Sequence, residues 1–173
     1  LLAKRRVGIV PQSPGMYRDL TVDDFLVLVR DLYGSGNIPE VVEAFGLEPF
    51  RSRRMAELSG GMQRRLSMAA ALVSSPEVLL LDDLRASAMD ANDWLLLLDP
   101  YNASPAKARY KNKGEVAPRL IVITATIEPV EFFYYARQKG NVDEALDQFI
   151  RRLASVVKVY RADDINRYLV QHI

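Results

Sequence analysis

Two carboxylates stand side by side at Asp82-Asp83, directly after the apolar run Val78-Leu79-Leu80-Leu81. Acids at the tip of a buried strand are costly unless they meet a cation or amides, which makes the pair a site for binding or catalysis. A second chemical signal is Leu58-Ser59-Gly60-Gly61-Met62-Gln63-Arg64-Arg65. Ser59 caps a helix by accepting from amides of its first turn, and Gly60 and Gly61 leave the backbone bare for close approach. A helix N-terminus with free amides and the positive end of the dipole is a site for an anion, phosphate above all. A third is Gln12, after Val7-Gly8-Ile9-Val10-Pro11. That is the carboxyl end of a strand, where open α/β sheets gather their ligand groups. Asp90, closing Ser87-Ala88-Met89-Asp90, adds an acid in a turn.

These groups need elements to hold them. Val7 to Val10 reads as a short buried strand stopped by Pro11. Thr21 with Asp24 forms a capping box for a helix from Val22 to Tyr33, whose apolar face is Phe25, Leu26, Leu28, Val29 and Leu32 and whose end is Gly34. A short helix from Pro39 to Phe45 closes on Gly46, and Leu47 to Glu57 reads as a charged linker. The run Met62 to Val73 predicts a helix with Arg64 and Arg65 outward and Leu66, Ala69, Ala70 and Leu72 inward. Glu77 to Leu81 and Leu120 to Ile123 are continuous apolar strands of the parallel, doubly covered type. Trp94 to Leu98 predicts a short helix and Asn102 to Pro118 a polar, basic loop. From Pro129 the pattern is helical, through Ala136, Val142 to Ala154 and Asp163 to Val170, with a β segment at Val156 to Tyr160.

Bulk properties narrow the function. With 23 Lys plus Arg against 22 Asp plus Glu, the net charge of +1 argues against a nucleic-acid partner. Cysteine is absent, which excludes disulfides and thiolate metal sites and suits a reducing compartment. No apolar run approaches the ~20 residues of a membrane helix. The expectation is an intracellular protein, cytoplasmic or organellar, with a peripheral membrane position if it serves a transporter. The first residue is Leu1, so upstream sequence is expected.

In order along the chain stand a strand ending in Gln12, a helical region, the Ser59-Gly60-Gly61 helix, a strand ending in Asp82-Asp83, a turn with Asp90, and a strand ending in Thr124. This order resembles the nucleotide-binding domain of the ATP-binding cassette (ABC) family, and LSGGMQRRLSMAAALVSSPEVLLLDD carries the resemblance. It covers Val7 to Asp90 well and Leu120 to Glu131 more loosely, and its wording is similar to transporter cassettes. The resemblance implies an α/β fold: a partial P-loop-NTPase-like parallel sheet, a helical subdomain carrying the signature, and diverged C-terminal helices. It implies segments 1–20 (strand and Q-loop), 21–73 (signature subdomain), 74–131 (Walker B, D-loop and switch strand) and 132–173 (a diverged helical extension). By resemblance Gln12 is the Q-loop glutamine, touching Mg²⁺ and coupling to a partner. Ser59, Gly60, Gly61 and Gln63 belong to the signature that meets ATP held by an opposing cassette. Asp82 is the Walker B metal residue, Asp83 stands at the catalytic glutamate position, and Asp90 lies in the D-loop.

The departures matter as much. None of the 9 glycines sits in a G-x-x-x-x-G-K-[ST] phosphate loop, so ATP and Mg²⁺ are expected only if a partner chain supplies that loop. Asp83 is one methylene short of glutamate, a retreat of about 1.5 Å where a misplacement of ~1 Å can cost a hundredfold. The resemblance puts Ala125 at the switch-histidine position, and Leu84-Arg85-Ala86 replaces the usual segment before the D-loop. The sequence therefore reads as a degenerate ABC-ATPase relative serving as a non-catalytic structural or interaction subunit. The alternative is a transporter nucleotide-binding component that supplies its signature in trans to ATP on a partner cassette. A third reading is the back portion of an active cassette. Expected partners are other protein chains, covering the open sheet edge or completing a cassette-like dimer, and a membrane protein at the Gln12 region. Phe132, Phe133, Tyr134, Tyr135, Phe149, Tyr160 and Tyr168 are candidates for such a surface.

Overall fold

The computed structural model describes residues 6–13, 17–83, 118–137, 146–161 and 168–172. Strands β1 (Val7–Val10), β2 (Val78–Leu81) and β3 (Leu120–Ile123) form a parallel sheet in the order β1-β2-β3. The register sets Val10 opposite Leu81 and Leu81 opposite Ile123, so all three strands end at one level. That alignment brings residues 11–12, 82–83 and 124 to a common edge, because the strands are parallel and equally long. Gly8 is required by packing: a Cβ there would lie 2.2 Å from the carbonyl oxygen of Ala71, so only glycine lets β1 lie against the helix behind it.

Helices α1 (Val22–Tyr33), α2 (Ile38–Ala44) and α3 (Gly60–Leu72) pack together beside the sheet. The Thr21 capping box is present in both directions, and Gly34 ends α1 in the left-handed region at φ 78°. The shared core contains Val22, Leu26, Val42, Leu47, Leu66, Val10, Leu79 and Leu81, all fully buried. From Leu66 to Val73, α3 is buried all round, since it meets α1, α2 and β1 at once. The segment expected as a charged linker is structured instead. Two short 3-10 turns, Glu48–Phe50 and Met55–Glu57, seat Leu47 and Met55 in the core. The carbonyls of Arg53 and Arg51 accept the first amides of α1, at Val22 (3.0 Å) and Asp23 (3.1 Å). These amides are the unsatisfied donors of any helix start, so the linker completes the cap.

Three expectations need correction. β3 is not doubly covered among the described residues: Leu120 is 53% exposed and Val122 38%, and it is one of the two edge strands of the three-stranded sheet, β1 being the other. Downstream, α4 (Pro129–Arg137) and α5 (Leu146–Ile150) are helical as expected. Beyond them β4 (Val157–Arg161) falls on the β segment expected at Val156 to Tyr160, but it pairs antiparallel with β5 (Tyr168–His172), which overlaps the helix expected over Asp163 to Val170. Alternation in Tyr168-Leu169-Val170-Gln171-His172 is too short to separate helix from strand, and cross-strand pairing decides it. The expected partner aromatics divide: Phe132, Phe133 and Phe149 are core, whereas Tyr134 and Tyr135 are exposed. Trp94 to Leu98, the 102–117 loop and the Asp90 turn lie outside the described residues.

Candidate functional site

The carboxyl edge of the sheet gathers Gln12, Asp82, Asp83 and Thr124 into one hydrogen-bonded group. Asp82 N–H donates to the carbonyl of Val10 (2.9 Å), and Thr124 N–H donates to that of Leu81 (3.0 Å), continuing the ladder one residue past each strand. The Thr124 hydroxyl accepts from Asp83 N–H (2.7 Å) and donates to Asp82 Oδ1 (3.2 Å). Gln12 Nε2 donates to Asp83 Oδ2. Asp83 adopts φ 41°, a left-handed conformation uncommon outside glycine and enriched in aspartate. That backbone turn leads the chain off β2 and lets the Asp83 carboxylate face Gln12, just past the neighbouring strand β1. No Lys or Arg pairs with Asp82 or Asp83 among the described residues; the ion pairs there are Arg6–Glu77, Arg30–Asp31, Arg51–Asp23 and Arg51–Glu48.

The signature helix meets this group from the side. Ser59 Oγ accepts from Met62 N–H (3.3 Å), the cap its position implies. Gly60 and Gly61 have no left-handed φ, and a Cβ on either would meet no atom of the described residues within 4 Å. Neither backbone conformation nor packing therefore requires glycine there, and the first turn of α3 faces open space. Gln63, expected on the nucleotide, turns inward: its Nε2 donates to the carbonyls of Met55 and Leu58, both at 3.1 Å. The amide holds the loop that delivers Ser59. Arg64, expected outward, instead donates from Nη1 to the carbonyl of Pro11 at 2.8 Å. It straps α3 to the residue before Gln12, and partial burial lowers the pKa of its guanidinium from the ordinary value.

The structure therefore brings Gln12, Asp82 and Asp83 into one group and leaves Ser59 to Gly61 on a separate face. Two residues were not singled out from the sequence. Thr124 is noted only as a strand end, and its role depends on register between strands 39 residues apart, Leu81 to Leu120. Arg64 sits at a helix position with a polar reading, and only the nearby Pro11 carbonyl draws it in.

Residues 2–86 match the family model described as ABC transporter. This span is similar to part of the nucleotide-binding domain of ABC transporters. Among curated relatives, it is 40% identical over 87 residues to Nod factor export ATP-binding protein I of Burkholderia thailandensis, spanning 47% of this chain and 29% of that protein. It is 29% identical over 136 residues to linearmycin resistance ATP-binding protein LnrL of Bacillus subtilis, spanning 75% of this chain and 40% of that protein. The chain thus matches well under half the length of these relatives. Two solved structures share the fold: cbiO1 of Clostridium perfringens, part of the ABC transporter complex cbiONQ (TM-score 0.51, 20% identity, 73% of this chain and 51% of that one), and an ATP-binding subunit of an ABC transporter (TM-score 0.51, 19% identity, 86% and 68%). The α/β fold is accordingly that of ABC ATPase cassettes, with a parallel sheet and helices.

An ABC cassette works with Mg²⁺ and ATP, and the donors here fit a hard cation. Asp82 and Asp83 offer carboxylate oxygens without a competing cation among the described residues. One or two carboxylates completed by substrate phosphates is the usual protein share of a Mg²⁺ site. No cluster of three or more acidic or imidazole ligands occurs among the described residues, so these two acids alone do not make a complete protein cage.

Proposed function

We propose that this chain acts as part of the nucleotide-binding component of an ABC transporter, supplying the Ser59-Gly60-Gly61 helix start in trans to ATP on a partner cassette. The observation that carries this reading is the open space ahead of Gly60 and Gly61, two glycines that the chain's own fold does not need. A γ-phosphate approaching there would meet bare amides, the Ser59 hydroxyl and the positive end of α3. Relatives described as ATP-binding proteins of export and resistance systems support this reading over a purely structural subunit. The matched relatives also motivate a place peripheral to a membrane, beside a membrane-protein partner near Gln12. No helix among the described residues is long and apolar enough to cross a membrane.

Asp82 would hold Mg²⁺, which would supply positive charge to offset the charge of the phosphates. Gln12 and Asp83 flank that position and are already mutually oriented. A second reading, a non-catalytic subunit, draws support from Asp83 itself. Its carboxylate is shorter than the family's glutamate, and its amide partner is Gln12.

The two readings separate in the complex recovered with its partner cassette. Ser59→Arg fills the space ahead of the helix and is expected to abolish ATP hydrolysis by the pair. Ser59→Asp keeps a good cap yet sets a negative charge against phosphate, and should lower hydrolysis with the fold intact. Unchanged hydrolysis in both variants removes the trans-signature reading and leaves the structural subunit. Micromolar binding of fluorescent ATP to the isolated chain would count against a structural subunit.

A further inference from the structure

Thr124 has one hydroxyl proton and acceptor lone pairs, and the structure uses both kinds of valence on neighbouring residues. The proton goes to Asp82 Oδ1 (3.2 Å), and a lone pair takes the Asp83 N–H (2.7 Å). We propose that Thr124 is a positioning residue for the acidic pair, its single hydroxyl fixing Asp82 and Asp83 relative to each other. The inference rests on the reading of Asp82 as the carboxylate that would hold the cation.

Three features of the fold make this arrangement specific. The parallel register sets Ile123 opposite Leu81, so Thr124 falls beside Asp82 one step beyond the ladder. The Thr124 backbone is itself anchored by its N–H to Leu81 carbonyl (3.0 Å), so the hydroxyl reaches out from a held position. Asp83 needs external support at φ 41°, because a non-glycine residue holds such a conformation only when its surroundings over-determine it. That support comes from two sides: Thr124 on the amide, Gln12 on the carboxylate. The bond from Thr124 to Oδ1 of Asp82 fixes the rotation of that carboxylate. The clamp thus sets which face of Asp82 is presented and where Asp83 stands beside it. Serine reproduces both bonds; valine matches the shape of threonine and makes neither.

The test compares the wild-type chain with Thr124→Val and Thr124→Ser. Hydrogen exchange at the Asp83 amide, read by NMR, should quicken roughly 3- to 10-fold in Thr124→Val, the loss of one ordinary hydrogen bond, and stay at the wild-type rate in Thr124→Ser. Binding of Mn²⁺ alone, read from the electron paramagnetic resonance signal of the free ion, should weaken by a similar factor in Thr124→Val and recover in Thr124→Ser. Thr124→Ala repeats both measurements if Thr124→Val does not fold. Unchanged Asp83 exchange in the valine variant overturns the clamp. Unchanged Mn²⁺ affinity, with the wild type binding, overturns its service to the metal. If the wild-type chain takes up no Mn²⁺ without nucleotide, as an incomplete set of ligands allows, the exchange rates decide the clamp on their own.

Discussion

Gly61→Ala separates what the signature glycines do for the fold from what they do for a ligand. Gly61 is the second residue of α3, its φ is not left-handed, and a Cβ there meets no atom of the described residues within 4 Å. Alanine in a helix interior gains about 1 kcal/mol over glycine, and less within the first turn. The variant should therefore be as stable as the parent or up to about 1 kcal/mol more so, a rise of about 0–4 °C in Tm for a domain of this size. The same methyl would stand in front of the amides at which a phosphate approaches. A displacement of ~1 Å in a reacting group costs about a hundredfold, so ATP turnover of the complex with its partner cassette should fall by about two orders of magnitude. Thermal unfolding by circular dichroism and a phosphate-release assay measure the two quantities. Destabilisation by more than about 1 kcal/mol would mean that glycine serves the fold, against the open space seen around it. Full stability with full turnover would mean that nothing approaches this helix end, and the trans-signature reading would fall.

Two further substitutions probe the scaffold. Gly8→Ala is the opposite case: its methyl would lie 2.2 Å from the Ala71 carbonyl oxygen, so β1 and α3 must part. A loss of about 3 kcal/mol is expected from overpacking, measured by urea unfolding, and a neutral result would refute the close contact. Arg64→Met keeps an apolar stem and removes the bond to Pro11. Desolvation of the guanidinium offsets much of that bond, so stability should fall by only about 1 kcal/mol. The local effect should be larger, with faster amide exchange at Gln12 and Ser13; equal rates there would show that the strap does not hold the loop.

What the sequence determined by itself was local. The capping box of Thr21 and Asp24, the glycine end at Gly34, the cap at Ser59 and the apolar runs of β1, β2 and β3 are each written within a few residues, because short-range hydrogen bonds and side-chain periodicity act over that distance. The motif order also carried the family, since Gln12, Ser59-Gly60-Gly61 and Asp82 keep their sequence spacing. Tertiary structure decided everything that depends on which segments become neighbours. The parallel register makes Thr124 the partner of both acids, although nothing near Thr124 in sequence announces it. The placement of α3 beside β1 turns Arg64 from a surface cation into a strap, and the loop from Met55 to Leu58 draws Gln63 away from the expected ligand. At the C-terminal end, pairing with β4 makes a strand of a segment whose own pattern is too short to choose between helix and strand. Backbone and side-chain polar groups must find partners wherever the chain brings them, and those partners lie far away in sequence.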